Sequence, residues 1–197
     1  MKTPVLEYLP SQRGVTLIET MIVVVIIGVL AVMATPSFQE QMQQQRVEGA
    51  AESLVAALQN AKAEAVTANK NMAIVITSSG SVCTSSDCEN QANAISTWCY
   101  GMTAAISTSP CNCSTGTDCA TGSIVQNTDY TGVGITYNTS NSRSFESLRG
   151  SATTGTIRFF AGNNKSLGVT TSSIGRIRIC KDGTSTLISY PDSGACP

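Results

Sequence analysis

The chain has 197 residues, room for one domain of ordinary size and an appendage. Charged residues are only 13 % and the net charge is −1, which argues against a generally basic nucleic-acid binder and against an acidic disordered tail. The absence of histidine removes Ser-His-Asp and Cys-His catalysis, histidine-ligated zinc and histidine pH switching.

Residues 1–14 are polar and end in Gln12-Arg13-Gly14. Met21 to Ala34 then carries no polar side chain, and the twenty positions between Glu19 and Glu40 carry no charge. At 1.5 Å per residue twenty positions span ~30 Å, the thickness of a bilayer core. A secretory signal would need a small-residue cleavage site, which Val32-Met33-Ala34 supplies only loosely. Basic residues before the apolar run are limited to Lys2 and Arg13. Glu19 lies inside the apolar stretch, where an anion costs roughly 2.5–3.5 kcal/mol on insertion scales. A disposable signal has no reason to carry that cost, so the acid implies a partner.

Arg13-Gly14-Val15-Thr16-Leu17-Ile18-Glu19 resembles the prepilin processing site of type IV pilins and type II secretion pseudopilins. The resemblance implies cleavage by a prepilin peptidase between Gly14 and Val15 and N-methylation of Val15. It makes Glu19 the residue needed for assembly, and Pro36 the proline that kinks or melts the pilin helix. Val15 departs from the commoner Phe at the first mature position. In a filament core no water solvates a carboxylate, and the α-amino group of a neighbouring subunit can pair with Glu19 and fix axial register.

From Val47 the apolar residues recur at Ala50, Ala51, Leu54, Val55, Leu58, Ala61 and Ala65, the spacing of one helical face. Asn69-Lys70-Asn71 is a stop signal, and an unbroken helix from Val15 to Ala68 would be ~80 Å long. Pro36 lacks a backbone donor and should bend it. The expected divisions are a cleaved leader at 1–14, a membrane and assembly helix at 15–38, an amphipathic helix at 39–71 and a disulfide-bonded head at 72–197.

Strand composition marks 72–77, 98–103, 134–137, 156–160, 176–180 and 186–190, with Lys181-Asp182-Gly183 as a hairpin turn. One helix packed on five or six antiparallel strands gives an α+β head. Residues 47–119 carry a net charge of −4 and residues 120–197 one of +3, enough for one basic face.

All eight cysteines lie beyond residue 80, in Ser/Thr/Gly-rich sequence, and their spacing fits no zinc or redox motif. Structural disulfides of an oxidising compartment are expected. Cys83–Cys88 would close a small polar loop, and Cys180–Cys196 would tie the C-terminal tail to a strand. Cys99, Cys111, Cys113 and Cys119 would pair among themselves.

Trp98-Cys-Tyr-Gly101 and Gly175-Arg176-Ile177-Arg178-Ile179-Cys180 resemble the FimT/GspH group of minor pilins and pseudopilins. That resemblance implies a pilin-like fold and a structural, non-enzymatic subunit without cofactor or metal. The subunit would sit at the filament tip or prime assembly. Its partners would be other pilins, the prepilin peptidase and the inner membrane. The head would be periplasmic first, then part of an extracellular pilus or a periplasmic pseudopilus. In the FimT branch a Gly-Arg-x-Arg motif contributes to binding extracellular DNA during natural transformation, which carries over to Gly175, Arg176 and Arg178 and adds duplex DNA as a partner. Two arginines two apart on a strand sit ~6.6 Å apart on one face and can take separate phosphates. Lys181 and Arg158 are secondary candidates. Two alternatives stay open: a minor pilin without DNA binding that only primes assembly, and a secretion pseudopilin contacting exported protein. For the arginines themselves the other reading is an exposed strand face with edge protection.

Glu19→Val or Glu19→Ala is expected to leave processing intact and block incorporation. Immunoblots of membranes and sheared filaments check this, and normal recovery of the mutant in filaments would refute it.

Overall fold

The computed structural model describes residues 14–78, 97–104, 124–138, 140–162, 165–181, 185, 187 and 196, with the backbone alone at 32–37 and 78. Cys83, Cys88, Cys111, Cys113, Cys119, the leader up to Arg13, and the strand expected at 186–190 (Leu187 apart) with its turn at 182–183 lie outside these residues. The chain divides into two compact units, 1–40 and 41–197.

The helix α1 (Leu17–Thr67) contributes to both units. Thr16 caps it: the Glu19 amide donates to the Thr16 hydroxyl at 3.3 Å. Glu19 therefore has a local role beside the expected one, as an acid in the first turn where the helix dipole favours an anion. Val15, Leu17, Ile18, Ile22, Val25, Ile26 and Leu30 are all exposed, so the first unit is apolar without a preferred face. Such a helix needs an apolar surrounding from outside itself. Among the described residues no helix is long and apolar enough to cross a membrane. The expected span at 15–38 also draws on residues 32–37, whose side chains are outside the description. The helix runs through Pro36 without interruption.

In the second unit α1 buries Val47, Ala50, Ala51, Leu54, Leu58, Ala61 and Ala65 completely, with Val55 half-buried. This is the face the spacing marks, and each leucine contributes about 1.5–3 kcal/mol by leaving water. The helix ends in a paired-bond cap: the Lys70 amide reaches the Ala65 carbonyl at 3.2 Å, and Asn69 takes φ +49°.

The strands are β1 (Met72–Ser78), β2 (Trp98–Ala104), β3 (Val125–Gln126), β4 (Gly134–Tyr137), β5 (Ser142–Phe145), β6 (Gly155–Phe160), β7 (Ser166–Thr171) and β8 (Ile177–Lys181). They form two four-stranded antiparallel sheets, ordered β3-β2-β1-β5 and β4-β6-β7-β8. The helix face and one face of each sheet share a single core. Its centre is aromatic: Trp98 stacks on Tyr100 at 6.0 Å and meets the edge of Phe159 at 5.6 Å. The indole N–H donates to the Val133 carbonyl at 2.8 Å, so the buried ring leaves no polar atom unpaired.

Three strands were not legible in the residues: β3, β5 and β7. Ser142-Arg-Ser-Phe145 and Ser166-Leu-Gly-Val-Thr-Thr171 are too polar and small to stand out by composition. Arg143 on β5 is fully buried. Its guanidinium donates to the carbonyls of Ser140 and Ser142 at 2.8 Å and of Asn138 at 3.2 Å, and reaches that of Thr156 in the other sheet at 3.5 Å. Burial pushes this group down to about 10.

The expected alternation on β6 fails on one side. Arg158 and Phe160 are buried like Ile157 and Phe159, so Arg158 is withdrawn as a candidate contact. Arg143 and Arg158 together remove two charges from the surface excess expected of residues 120–197.

Burial pushes the Tyr100 phenol up, against a 2.6 Å hydrogen bond with Ser53 that favours ionisation. An unfolded tyrosine ionises near ~10. Above that pH the unfolded chain loses a proton that the folded chain keeps, so stability falls as pH rises. Urea midpoints measured from pH 8 upward should drop beyond ~10, and Tyr100→Phe should make that drop shallower.

Candidate nucleic-acid interface

Strands β7 and β8 form a hairpin at one end of the second sheet. The Ser172 amide donates to the Arg176 carbonyl at 3.0 Å, and the Gly175 amide to the Ser172 carbonyl at 2.9 Å. The Arg176 amide donates to the Ser172 hydroxyl at 3.1 Å. The resulting loop, residues 173–175, needs a left-handed last position, and Gly175 supplies it with φ +70°. Arg176 thus stands just before β8, at the base of the loop, with only Arg178 inside the strand.

Two contacts hold this loop down. The Lys62 ammonium, on α1, donates to the Gly175 carbonyl at 2.9 Å. The Ala152 amide donates to the Ser173 carbonyl at 3.0 Å, bringing the 146–150 turn beside the hairpin. A Cβ at position 175 would collide with the Gly150 carbonyl oxygen and lie 3.2 Å from the Lys62 ammonium. Gly175 is therefore a packing glycine as well as a turn glycine. Lys62 and Gly150 were missed in the sequence; their only trace there was a lone lysine beside the helix stripe and an Arg-Gly pair in a polar segment.

Arg176 and Arg178 are exposed, while Ile177 and Ile179 are half-buried and packed against the core. The pleat puts the two arginines on the same side, ~6.6 Å apart. Among the described residues no carboxylate forms an ion pair with either guanidinium. Lys181 has the parity of Ile177 and Ile179, which turns it to the opposite face, and it is half-buried. It does not join the arginine pair.

On the arginine side, register aligns Thr136, Arg158, Gly168 and Cys180 in one row across the sheet. Cys180 is bonded to Cys196 with their Cα atoms 5.3 Å apart. The bridge lies on Gly168, where any Cβ would collide with both sulfurs. Glycine in the middle of β7 has that packing reason. Cys99 is also disulfide-bonded, to a partner outside the described residues.

At the other end of the chain, Gly14 and Val15 precede α1 and are exposed, and Glu19 is exposed in the first turn. Residues 9–35 match the prokaryotic N-terminal methylation motif. Residues 50–189, most of the chain, match the family described as type II transport protein GspH. The chain belongs to the GspH family. It is a minor pilin or pseudopilin, a class that a prepilin peptidase processes and that assembles with other pilins. The Gly175–Arg178 segment falls inside the GspH match, and Gly14–Glu19 falls inside the methylation motif. A solved structure also aligns, the type IV minor pilin FimU of Pseudomonas aeruginosa PAO1. The identity is 18 % and the TM-score 0.41, covering 72 % of this chain and 91 % of that one. No curated protein matches the sequence.

Gly175→Ala should destabilise by about 1–3 kcal/mol, from the left-handed φ and from the collision with Gly150. Gly132 has φ +82° and open space around it, so Gly132→Ala should cost only the backbone strain, about 1 kcal/mol. Thermal melts of the two variants compare them. Equal losses would show that the Gly150 contact constrains nothing.

Proposed function

We propose that this chain is a minor type IV pilin that contributes to extracellular DNA binding and uptake, through the hairpin arginines Arg176 and Arg178. The observation that carries the reading is a pair of exposed guanidiniums that no carboxylate pairs among the described residues, on a hairpin fixed to α1 by Lys62. Fixing matters because each long side chain then brings its charge from a defined base, which lowers the ordering cost of a phosphate contact. Arginine suits phosphate by its planar, bidentate donor set, and such contacts carry no sequence information. In the same reading cleavage falls between Gly14 and Val15, Val15 is N-methylated and Glu19 serves assembly. The subunit sits at the pilus tip or primes its growth.

A type II secretion pseudopilin is the second reading, and the description of the matched family favours it. There the same hairpin would contact exported protein.

Double substitution Arg176→Gln with Arg178→Gln should remove most DNA binding by the full chain in detergent. The fold should be kept, because Ile177 and Ile179 supply the buried side. Affinity of the parent should lie around 10⁻⁴–10⁻⁶ M without sequence preference. Its logarithm should fall with log salt by about 0.9 per phosphate contacted. In cells, pili should still assemble while DNA uptake drops. A double mutant that binds DNA as the parent does would return the hairpin to a solvated strand face.

A further inference from the structure

We propose that Arg149 is a third phosphate contact, presented by the 146–150 turn beside the hairpin, so that two separate segments build one DNA surface. This rests on the DNA-binding reading of Arg176 and Arg178. The turn is distant in sequence but joined to the hairpin through backbone. The Gly150 carbonyl faces Gly175, and the Ala152 amide is bonded to the Ser173 carbonyl. Arg149 and Arg176 are the chain neighbours of those two touching glycines. Covalent geometry puts their Cα atoms at most ~14 Å apart.

The turn is itself fixed. The Gly150 amide donates to the Glu146 carbonyl at 3.1 Å, the Glu146 amide to the Ser151 carbonyl at 2.8 Å, and the Ser147 amide to the Asn71 side chain at 3.0 Å. Gly150 adopts φ +63°, a conformation glycine reaches without penalty. Arg149 is exposed, and among the described residues no carboxylate forms an ion pair with it.

The charges are consistent with one strand of nucleic acid. Arg176 and Arg178 cover ~6.6 Å, and Arg149 extends the run to at most ~20 Å. A DNA strand places about six phosphates along that length, one per 3.4 Å of axis. Three guanidiniums can therefore meet three different phosphates. Lys62 adds a fourth positive charge beneath the glycine contact. Its ammonium is held by a neutral carbonyl, so its charge is not cancelled there. Glu146 is the acid on the turn, and its carboxylate accepts the Ser151 hydroxyl.

Leu148 and Ile174 lie beside these arginines and are 87 % and 75 % exposed. Two bare aliphatic tips could instead mark a contact with a neighbouring subunit, which the experiment must separate from DNA binding.

The test uses the full chain in detergent, a labelled duplex of random sequence and a series of salt concentrations. Arg149→Gln should weaken binding roughly fivefold at physiological salt and flatten the salt slope by about 1. Arg149→Lys should keep the slope, because the charge is kept. If Arg149→Gln binds as the parent does while the Arg176/Arg178 double mutant loses binding, Arg149 is only a solvated side chain, and the hairpin reading stands alone. If neither variant changes affinity, both readings fall. If Arg149→Gln leaves affinity unchanged but Arg149→Gln and Leu148→Ser with Ile174→Ser both block incorporation into filaments, the surface is a subunit contact. Should Arg149→Gln fail to fold, Glu146→Gln probes the same surface with the opposite sign. Stronger binding supports the proposal, and unchanged binding overturns it.

Discussion

Everything in the second unit depends on how closely the backbone of α1 can approach two sheets at once. Alanine at positions 50, 51, 61 and 65, alternating with Leu54 and Leu58, makes that approach possible. A helix face of large side chains would hold the sheets apart and leave gaps between them. Small residues let the sheets supply the bulk instead, and they do so with Trp98, Tyr100, Phe145 and Phe159. Close packing of this kind tolerates little change in volume, so the helix and the aromatic set specify one another.

The same closeness brings the hydrophilic flank of α1 within reach of loops. Ser53 meets the Tyr100 hydroxyl, and Lys62 meets the carbonyl of Gly175. Each pairs a helix side chain with a group on a sheet or its hairpin. Arg143 does similar work between the sheets themselves, holding carbonyls of the β4–β5 connection and of β6, with no carboxylate partner among the described residues. A lysine in that place has three donors on one atom and could not spread over the same set of carbonyls.

Much of this was legible in the residues. The α1 face followed from its spacing, since only a helix puts Val47, Leu54, Leu58 and Ala65 together. Strands β1, β2, β4, β6 and β8 declared themselves through β-branched and aromatic residues. The rest was hidden for a common reason. Strand β7 holds a glycine because a disulfide lies on it, and β5 holds a buried arginine because carbonyls surround it. In both, a residue type normal for loops is required by a neighbour that is remote in sequence. The candidate site divided in the same way. Arg176 and Arg178 were visible as a pattern on one strand, whereas Lys62, Arg149 and Gly150 became relevant only once the fold brought them beside Gly175. Lys181, a secondary candidate beside the motif, has the strand parity of Ile177 and Ile179 and so lies off the arginine side.

The hairpin has a mechanical consequence. A pull applied at its tip enters the protein along β7 and β8 together, parallel to the strands. The ladder between β6 and β7 then bears the force as shear, spread over all its hydrogen bonds together. The alternative, force across the ladder, would open the bonds singly like a zipper. The Cys180–Cys196 bridge extends this arrangement to the tail. Load arriving at Cys196 passes covalently into β8 at Cys180, one residue before the strand ends. The end of the sheet that offers its side chains to the outside is thus also the part best placed to resist being stripped away.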